Sequence, residues 1–519
     1  MMDLRKQLLT WLPTLTVIAI FLIYLRTLLP GIGYSGDTSK FQFVGKVLGT
    51  PHEPGSPTYV MLNYLFVNIF PIGATAFKAN LFSAITSMLC LWVLSRSLIL
   101  FGVRPFTASC TVAVFGFTYT FWSQSVVAEV YSLNVLFIAI TLYYFIRWHL
   151  FGEYRHFIFA CAFYSFSFGD HLIVVTLLPA IVFLVLATHR DFFTKPRIIM
   201  HVTILILLGA LQYGYLFWRT YAHDTTYLEI AVTNLKDLWY CASGGQFQDK
   251  LLDNGLNQAF YIRMPIMLRL AWLEYSVLLP FTILGFFVIR DTSMRVFLIL
   301  CAAGTFVFTC IYGIPDIYVY MIPVYYILAL TLGIGLEWLA SHCTRRSLIL
   351  FQLSLACMPC LFLSVNYQKA DQSSNVNAKT FVEQSLKSLG KKSLIVCPNY
   401  NWGEYFWYYI FAEGYQQDSV YAFYPHNAEM PVESLESYVN DGKPFYLPVQ
   451  RCYIPAGLTV YFCTSSEERG FDDSRARYPS IKTILPFSIS DPSMERMINN
   501  GFRFTQIEIG MYRVDKPSL

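Results

Sequence analysis

Apolar residues come in long blocks along the first two thirds of this chain, separated by short polar connections, and the blocks then cease. They fall at residues 8–30, 77–101, 105–122, 131–148, 156–169, 171–188, 198–218, 271–290, 295–314, 317–340 and 347–366. Apolar stretches near 20 residues have the length of a bilayer-crossing helix. The pattern therefore predicts a mainly α, polytopic membrane protein with about eleven spans, the 156–169 block being the shortest. From Asp371 the texture changes to an amphipathic helix over 372–389, ended by Gly390. Strands are expected at 393–397, 419–423, 444–449, 458–463 and 503–513, with a helix over the aromatic stretch 402–413. The division is a membrane domain, 1–366, with long connections at 31–76 and 219–270, and a small α/β domain, 371–519.

Composition agrees with this reading. Of 519 residues, 55% are hydrophobic and only 13% charged, against roughly 25% charged in ordinary soluble domains. The net charge of +4 is small, but its placement is informative. Arg5/Lys6, Arg96/Arg104, Arg147/Arg155, Arg190/Lys195/Arg197, Arg290/Arg295 and Arg345/Arg346 fall on alternate connections. By the positive-inside rule that face is the cytosol, so the N-terminus is cytosolic and the C-terminal domain extracytoplasmic. Residues 1–30 lack a small-residue cleavage site and read as an uncleaved signal-anchor helix.

Other features narrow the reading further. Trp239, Tyr240, Phe247 and Tyr261 make the 219–270 connection too aromatic for disorder and suit helices in the membrane interface. The stretch 58–72, bracketed by Pro57 and Pro71, reads as a helix along the outer surface. Cys357 and Cys360 lie inside an apolar block and read as small buried residues. Spacing leaves a Cys452–Cys463 bridge open. The chain has no Asn-x-Ser/Thr sequon, which leans toward a prokaryotic cell membrane without excluding the endoplasmic reticulum. It has no glycine-rich phosphate loop, and nothing points to a nucleic-acid partner.

Four polar segments converge on the predicted outer face. They are Gly36-Asp37-Thr38-Ser39; Pro51 to Pro57 with His52 and Glu53; Trp122-Ser123-Gln124 with Glu129 to Asn134; and Gly169-Asp170-His171. Taken singly, each has a plain structural role. Asp37 suits the N-cap of a helix starting near Ser39, and Asp170 could cap the span that begins at His171. His52 could sit in a hydrogen-bonded turn, and Glu129 could anchor a helix end. Four clusters on one face, in a chain that otherwise avoids charge, point instead to a site.

The series GDTSKF (36–41), GTPHEPGSPTY (49–59), WSQSVVAEVYSLN (122–134), SFGDHL (167–172) and IPDIYVYMIP (314–323) resembles the protein O-mannosyltransferase-like membrane family of the GT-C glycosyltransferases. The resemblance implies transfer of a sugar, mannose first, from a polyprenyl-phosphate-sugar donor to an acceptor hydroxyl on the extracytoplasmic side. It places Asp37 as the acid near the reaction centre, where a carboxylate can take the acceptor proton. Glu129 becomes a second polar group, orienting the acceptor or a metal. Lys40, His52, Glu53, Tyr131, Asp170 and His171 become substrate-binding candidates. Arg219 and Arg263, with Lys236 and Arg269, are candidates to stabilise the leaving phosphate. A divalent metal stays open, and the acceptor is a protein, a glycan or a lipid. Two departures stand out from the family pattern. Lys40 takes the place of an acid, and either binds phosphate or pairs with Asp37. Glu53 takes the place of a proline beside His52, either in a local turn or as a ligand to metal or sugar. The rival readings are a transporter or flippase of a lipid-linked or small anionic substrate, and a non-catalytic membrane scaffold.

Overall fold

Local punctuation sets the helix ends. Proline opens the helices at Pro57, Pro105 and Pro196, where its missing N–H costs nothing. Asn234, Asp291 and Thr344 each accept a backbone N–H at a helix start. Gly152, at φ +68°, closes Val130–Phe151 in the left-handed conformation that suits glycine. The computed structural model describes residues 2–33, 37–189, 194–253, 255–397, 400–415, 420–423, 432–463, 496–497, 499–508 and 511–516.

The helices run in chain order as α1 Met2–Thr27, α2 Thr38–Phe43, α3 Pro57–Ile69, α4 Thr75–Leu100, α5 Pro105–Gly116, α6 Tyr119–Ser125, α7 Val130–Phe151 and α8 Tyr154–Ser167. They continue as α9 Leu178–Thr188, α10 Pro196–Leu211, α11 Gly214–Tyr221, α12 Leu235–Ala242, α13 Gly255–Gln258, α14 Met264–Tyr275 and α15 Leu279–Val288. The last helices of the membrane region are α16 Thr292–Ile311, α17 Ile322–His342 and α18 Arg345–Ala370. Among the described residues eight helical stretches are long and apolar enough to cross a membrane. All eleven apolar blocks are helical, but three fall short. Helix α5 has 12 residues, or roughly 18 Å at 1.5 Å each, and breaks at Phe117 before α6. Helix α8 has 14 residues, and the 172–188 block opens with a 3-10 segment over Leu172–Leu177. The chain is a multi-pass membrane protein.

Helix α3 leaves Leu62, Leu65 and Ile69 exposed, with Ile72 just beyond it. Helix α12 likewise leaves Leu235, Trp239 and Tyr240 exposed, which suits an interfacial position. The second long connection is shorter than 219–270, because helix resumes at Gly255.

The tightest helix pairing joins α15 to α17, and small residues make it. A methyl group at Gly285 would overlap the Thr331 carbonyl oxygen, and one at Gly335 would overlap that of Phe281. Both obstacles are backbone, so neither can swing aside. Gly285→Ala is expected to cost about 1–3 kcal/mol as overpacking. The check is a lowered melting temperature of the purified protein in detergent; an unchanged one would mean the pair tolerates separation.

After α18 come α19 Asn377–Leu389, β1 Ser393–Val396, α20 Tyr400–Trp407, β2 Val420–Phe423, α21 Val432–Asp441, β3 Phe445–Leu447, β4 Cys452–Ile454, β5 Thr459–Cys463, β6 Arg503–Glu508 and β7 Met511–Asp515. The main sheet has the order β2-β1-β5-β7-β6. Strand β1 pairs parallel with β2 and β5, while β7 pairs antiparallel with β5 and β6. The expected strand over 503–513 is thus two strands, β6 and β7. Central β1 is buried on both faces, as its unbroken apolar run requires. Leu394 and Val396 face one core with Leu435 and Phe462, whereas Ile395 joins the core that continues into the membrane helices. Cys452 and Cys463 are not bonded to each other, so the bridge that their spacing left open is not formed.

Candidate functional site

Asp37 occupies the N-cap position of α2 but its carboxylate caps nothing. It turns instead to Lys40 Nζ at 3.4 Å and His52 Nε2 at 3.5 Å. One helical turn separates Asp37 from Lys40, which puts both side chains on one face. Lys40 is buried, and its ammonium also meets Glu229 Oε2 at 3.1 Å, Glu404 Oε1 at 3.3 Å and His52 Nδ1 at 3.0 Å. Glu229 is fixed by backbone bonds of its strand-like segment: Glu229 N donates to Thr50 O, and Thr50 N to Tyr227 O. Tyr227 Oη donates to Glu229 Oε2 at 3.0 Å.

Glu404 arrives on α20. Phe43, Tyr227, Trp407 and Phe411 form an aromatic cluster, with Phe43 and Tyr227 centroids 5.0 Å apart and Tyr227 and Trp407 centroids 5.5 Å apart. Glu404 precedes Trp407 by three residues and so shares its face of the helix. Lys40 is thereby gripped by α2, the His52 turn, the Glu229 segment and the C-terminal region.

A second layer surrounds this cluster. Thr38 Oγ1 donates to Glu129 Oε1 at 2.8 Å, and Tyr131 Oη donates to Asp316 Oδ2 at 3.0 Å. Tyr131, His171 and Tyr320 pack ring against ring. His171 Nδ1 accepts from Ile173 N, so His171 rather than Asp170 caps the segment that follows. Asp170 is fully buried, with the Asn134 amide beside it. Glu53 accepts from the Gln246 backbone N–H, 193 residues along the chain, so its partner is the second long connection and not a local turn.

The two arginines lie outside this cluster. Arg219 is buried on the Trp218 ring and pairs with Asp224 at 3.1 Å, and Arg263 pairs with Asp253 at 2.9 Å. Lys236 and Arg269 are exposed. Among the described residues no three His, Cys, Asp or Glu side chains are grouped to hold a metal. Trp122 is a buried packing residue, its Nε1 donating to Thr27 Oγ1 at 3.0 Å. Tyr34, Ser35 and Gly36 lie outside the described residues.

Charge distribution separates the acids. Burial pushes the Asp37 carboxyl up, but the charges of His52 and Lys40 outweigh it and hold it below the ordinary value. Burial followed by repulsion from Asp37 pushes Asp316 up to about 6 and Glu129 well above the usual range. Burial also raises Glu404 strongly despite Lys40. His52 and His171 go down with burial, His171 to about 4. Burial would lower Lys40, yet Glu229, Asp37 and Glu404 together raise it. Asp37 is thus favoured in its ionised form, whereas the surroundings of Glu129 and Glu404 favour the protonated form. An amide mimics a protonated carboxyl, so Glu129→Gln is expected to cost under about tenfold in turnover, or about 1.4 kcal/mol. A larger loss at neutral pH in the transfer assay described below would mean Glu129 works as an anion.

The structure brings Asp37, Lys40 and His52 together, and it adds Glu229, Glu404 and the Tyr131 partner Asp316, which sequence reasoning passed over. The available signal was modest: single carboxylates stranded in TTYLEIAV (225–232) and NWGEYFWYY (401–409).

The fold defines a class first: this is a multi-pass helical membrane protein. Residues 37–193 match the family model described as the Protein O-mannosyl-transferase TMEM260 N-terminal domain. Protein O-mannosyl-transferase TMEM260 of Mus musculus is 26% identical over 211 residues, covering 39% of this chain and 29% of the mouse protein. Its counterpart in Dictyostelium discoideum is 23% identical over 221 residues, covering 39% of this chain and 27% of that protein. The matched part is therefore under a third of either relative's length. The fold of ArnT from Cupriavidus metallidurans, crystallised with undecaprenyl phosphate, superposes with a TM-score of 0.60 at 10% identity, over 96% of this chain and 97% of ArnT. The apo form gives 0.56. These findings support the resemblance to the O-mannosyltransferase-like GT-C family.

Proposed function

We propose that the protein is a membrane glycosyltransferase that moves a hexose, mannose first, from a polyprenyl-phosphate donor to a hydroxyl on a protein, with Asp37 as general base. The observation that carries this reading is the Asp37 carboxylate itself. It leaves its helix uncapped, and its side chain is 30% exposed, whereas Glu229 is 15% and Glu404 0% exposed. It is the acid of the cluster that an incoming hydroxyl can reach. The names of the mouse and Dictyostelium relatives support mannosyl transfer to protein, and the ligand of the ArnT crystal supports a lipid-phosphate carrier.

In the step envisaged, the acceptor oxygen bonds to the anomeric carbon while its proton passes to Asp37. The bond from that carbon to the phosphate oxygen breaks, and its electron pair leaves with the polyprenyl phosphate. Lys40 is the nearest permanent cation to Asp37 that the geometry supplies, and Arg219 is a second candidate for the phosphate. The Asp224 partner of Arg219 is 79% exposed, so water can solvate it when the guanidinium turns to phosphate. The face carrying Asp37 would lie outside the cytosol, with residues 371–519 beside it engaging the acceptor.

The test is transfer of radiolabelled mannose from polyprenyl-phosphate-mannose to serine- and threonine-rich peptides by the purified protein. Incorporation as acid-stable, β-eliminable label is expected. Label from another lipid-linked sugar alone would change the donor, and absence of transfer from every lipid-linked sugar offered, with peptide, glycan and lipid acceptors present, would overturn the reading.

A further inference from the structure

We infer that Arg451, in the turn between β3 and β4, is a positioning residue for the reaction centre: with the Val449 carbonyl it fixes residues 219–229 and so holds the Glu229 carboxylate on the Lys40 ammonium. The inference rests on the reading of Asp37 as the base and gives the C-terminal region a part in that same site.

Arg451 N donates to Pro448 O at 3.1 Å, closing a turn over 448–451, and Arg451 itself takes φ +49°. A left-handed backbone is unfavourable for a residue with a side chain and persists where its surroundings over-determine it. Arg451 Nη1 donates to Ala222 O at 2.9 Å and to Arg219 O at 3.4 Å. These carbonyls lie at the end of α11, where a helix leaves acceptors without partners of its own and a cation is favoured. Val449 O accepts from Leu228 N at 2.7 Å. Gln450 Nε2 donates to Ala422 O, which also accepts from Trp407 Nε1 at 2.7 Å, so the turn is tied to β2 and α20 as well.

The segment held in this way is the middle strand of a small ribbon. Its Leu228 N–H points to Val449, whereas Tyr227 O and Glu229 N bond Thr50 on the opposite edge. Residues two apart on an extended strand share a face, and Tyr227 Oη donates to Glu229 Oε2 at 3.0 Å. That face meets Lys40, whose three N–H donors go to His52 Nδ1 at 3.0 Å, Glu229 Oε1 at 3.2 Å and Asp37 Oδ1 at 3.4 Å. If the strand slackens and Glu229 withdraws, the ammonium loses a counter-charge and its pull on Asp37 grows. A carboxylate under a stronger cationic pull is a weaker base.

The test measures kcat, KM and the pH profile of mannosyl transfer from polyprenyl-phosphate-mannose by the purified protein. It compares wild type with Arg451→Gly, Arg451→Lys, Glu229→Ala and the double variant Arg451→Gly/Glu229→Ala. Glycine adopts φ +49° freely, so a loss in Arg451→Gly belongs to the guanidinium and not to the turn. Groups facing Lys40 are Asp37, His52, Glu229, Glu404 and Tyr227; Asp37 also acts on Glu129, Asp316, Tyr131 and Tyr320. Arg451→Gly is expected to lower kcat about fivefold or more, a fraction of the roughly 10²–10⁴ that a general base supplies, with the donor KM unchanged. Its acidic limb should move to lower pH. Arg451→Lys, which keeps a cationic donor for the α11 carbonyls, should recover part of the loss. The double variant should be no slower than Glu229→Ala, because without that carboxylate Arg451 has nothing to place; independent effects would multiply. The infrared carboxyl band that Asp37→Asn removes should titrate at lower pH in Arg451→Gly, a readout independent of turnover.

An unchanged kcat in Arg451→Gly, multiplied losses in the double variant, or a limb or band that stays in place or moves upward would each overturn the role given to Arg451. Wild-type transfer by Asp37→Asn would instead overturn the reading of the base itself.

Discussion

Asp37→Asn is expected to reduce transfer by about 10²–10⁴-fold, the range that a positioned general base contributes. The loss should appear in kcat, because the amide fills the same space at the head of α2 and disturbs the surrounding cluster little. Steric rearrangement is a weak alternative. The Asp37 side chain bonds no backbone group of its helix, and its polar partners are Lys40 and His52. Lys40 keeps Glu229 and Glu404 in the variant. The folded-state pKa of Asp37 lies below its ordinary value, so the stability it contributes is present at neutral pH and lost as pH falls through that folded value. Melting temperatures of wild type and variant should therefore lie close together, the residue being partly open to water. Undiminished label transfer by a folded Asp37→Asn protein would send the search to Asp316 and Glu129.

Lys40→Met should have the largest effect on stability. The side chain is 4% exposed and faces three carboxylates within 3.4 Å. Removing one partner of a buried pair leaves uncompensated charge, which typically costs about 3–5 kcal/mol. The pH dependence has a definite sign. Without the ammonium, the folded-state pKa values of Asp37 and Glu404 rise, so the folded variant binds protons that the unfolded chain releases. The deficit should therefore be larger at pH 8 than at pH 5, shrinking as the carboxylates protonate. Thermal melts across that interval measure it. A deficit independent of pH would mean the loss lies in packing of the Lys40 stem and not in its charge.

The apolar blocks made the membrane helices legible, because crossing a bilayer imposes a length that few other constraints mimic. Where they misled, a local interruption was responsible. Phe117 breaks the 105–122 block into α5 and α6, which hydropathy alone averages over. Motif chemistry found the neighbourhood of Asp37 for a similar reason: a short segment holds Asp37 and Lys40 one turn apart, and the His52 turn follows closely. Glu229 and Glu404 were illegible because their proximity to Lys40 is a tertiary fact. Nothing in TTYLEIAV or NWGEYFWYY states which face will meet a lysine in another part of the chain. The arginines stand differently: charge near the expected face suggested phosphate ligands, and each also has its own aspartate, 5 residues away for Arg219 and 10 for Arg263.

The bond between Ala76 N and Tyr408 Oη joins residues 332 apart in sequence, and it bears on how the molecule comes into being. The N-terminal helices reach the membrane long before α20 has been synthesised. Until that helix docks, Lys40 waits with two of its carboxylates and an open flank. Long-range closure of this kind is slow relative to local helix formation, so the reaction centre is among the last parts of the molecule to mature. A nascent chain halted after α18 would carry its membrane helices but not the residues that α20 brings to Lys40.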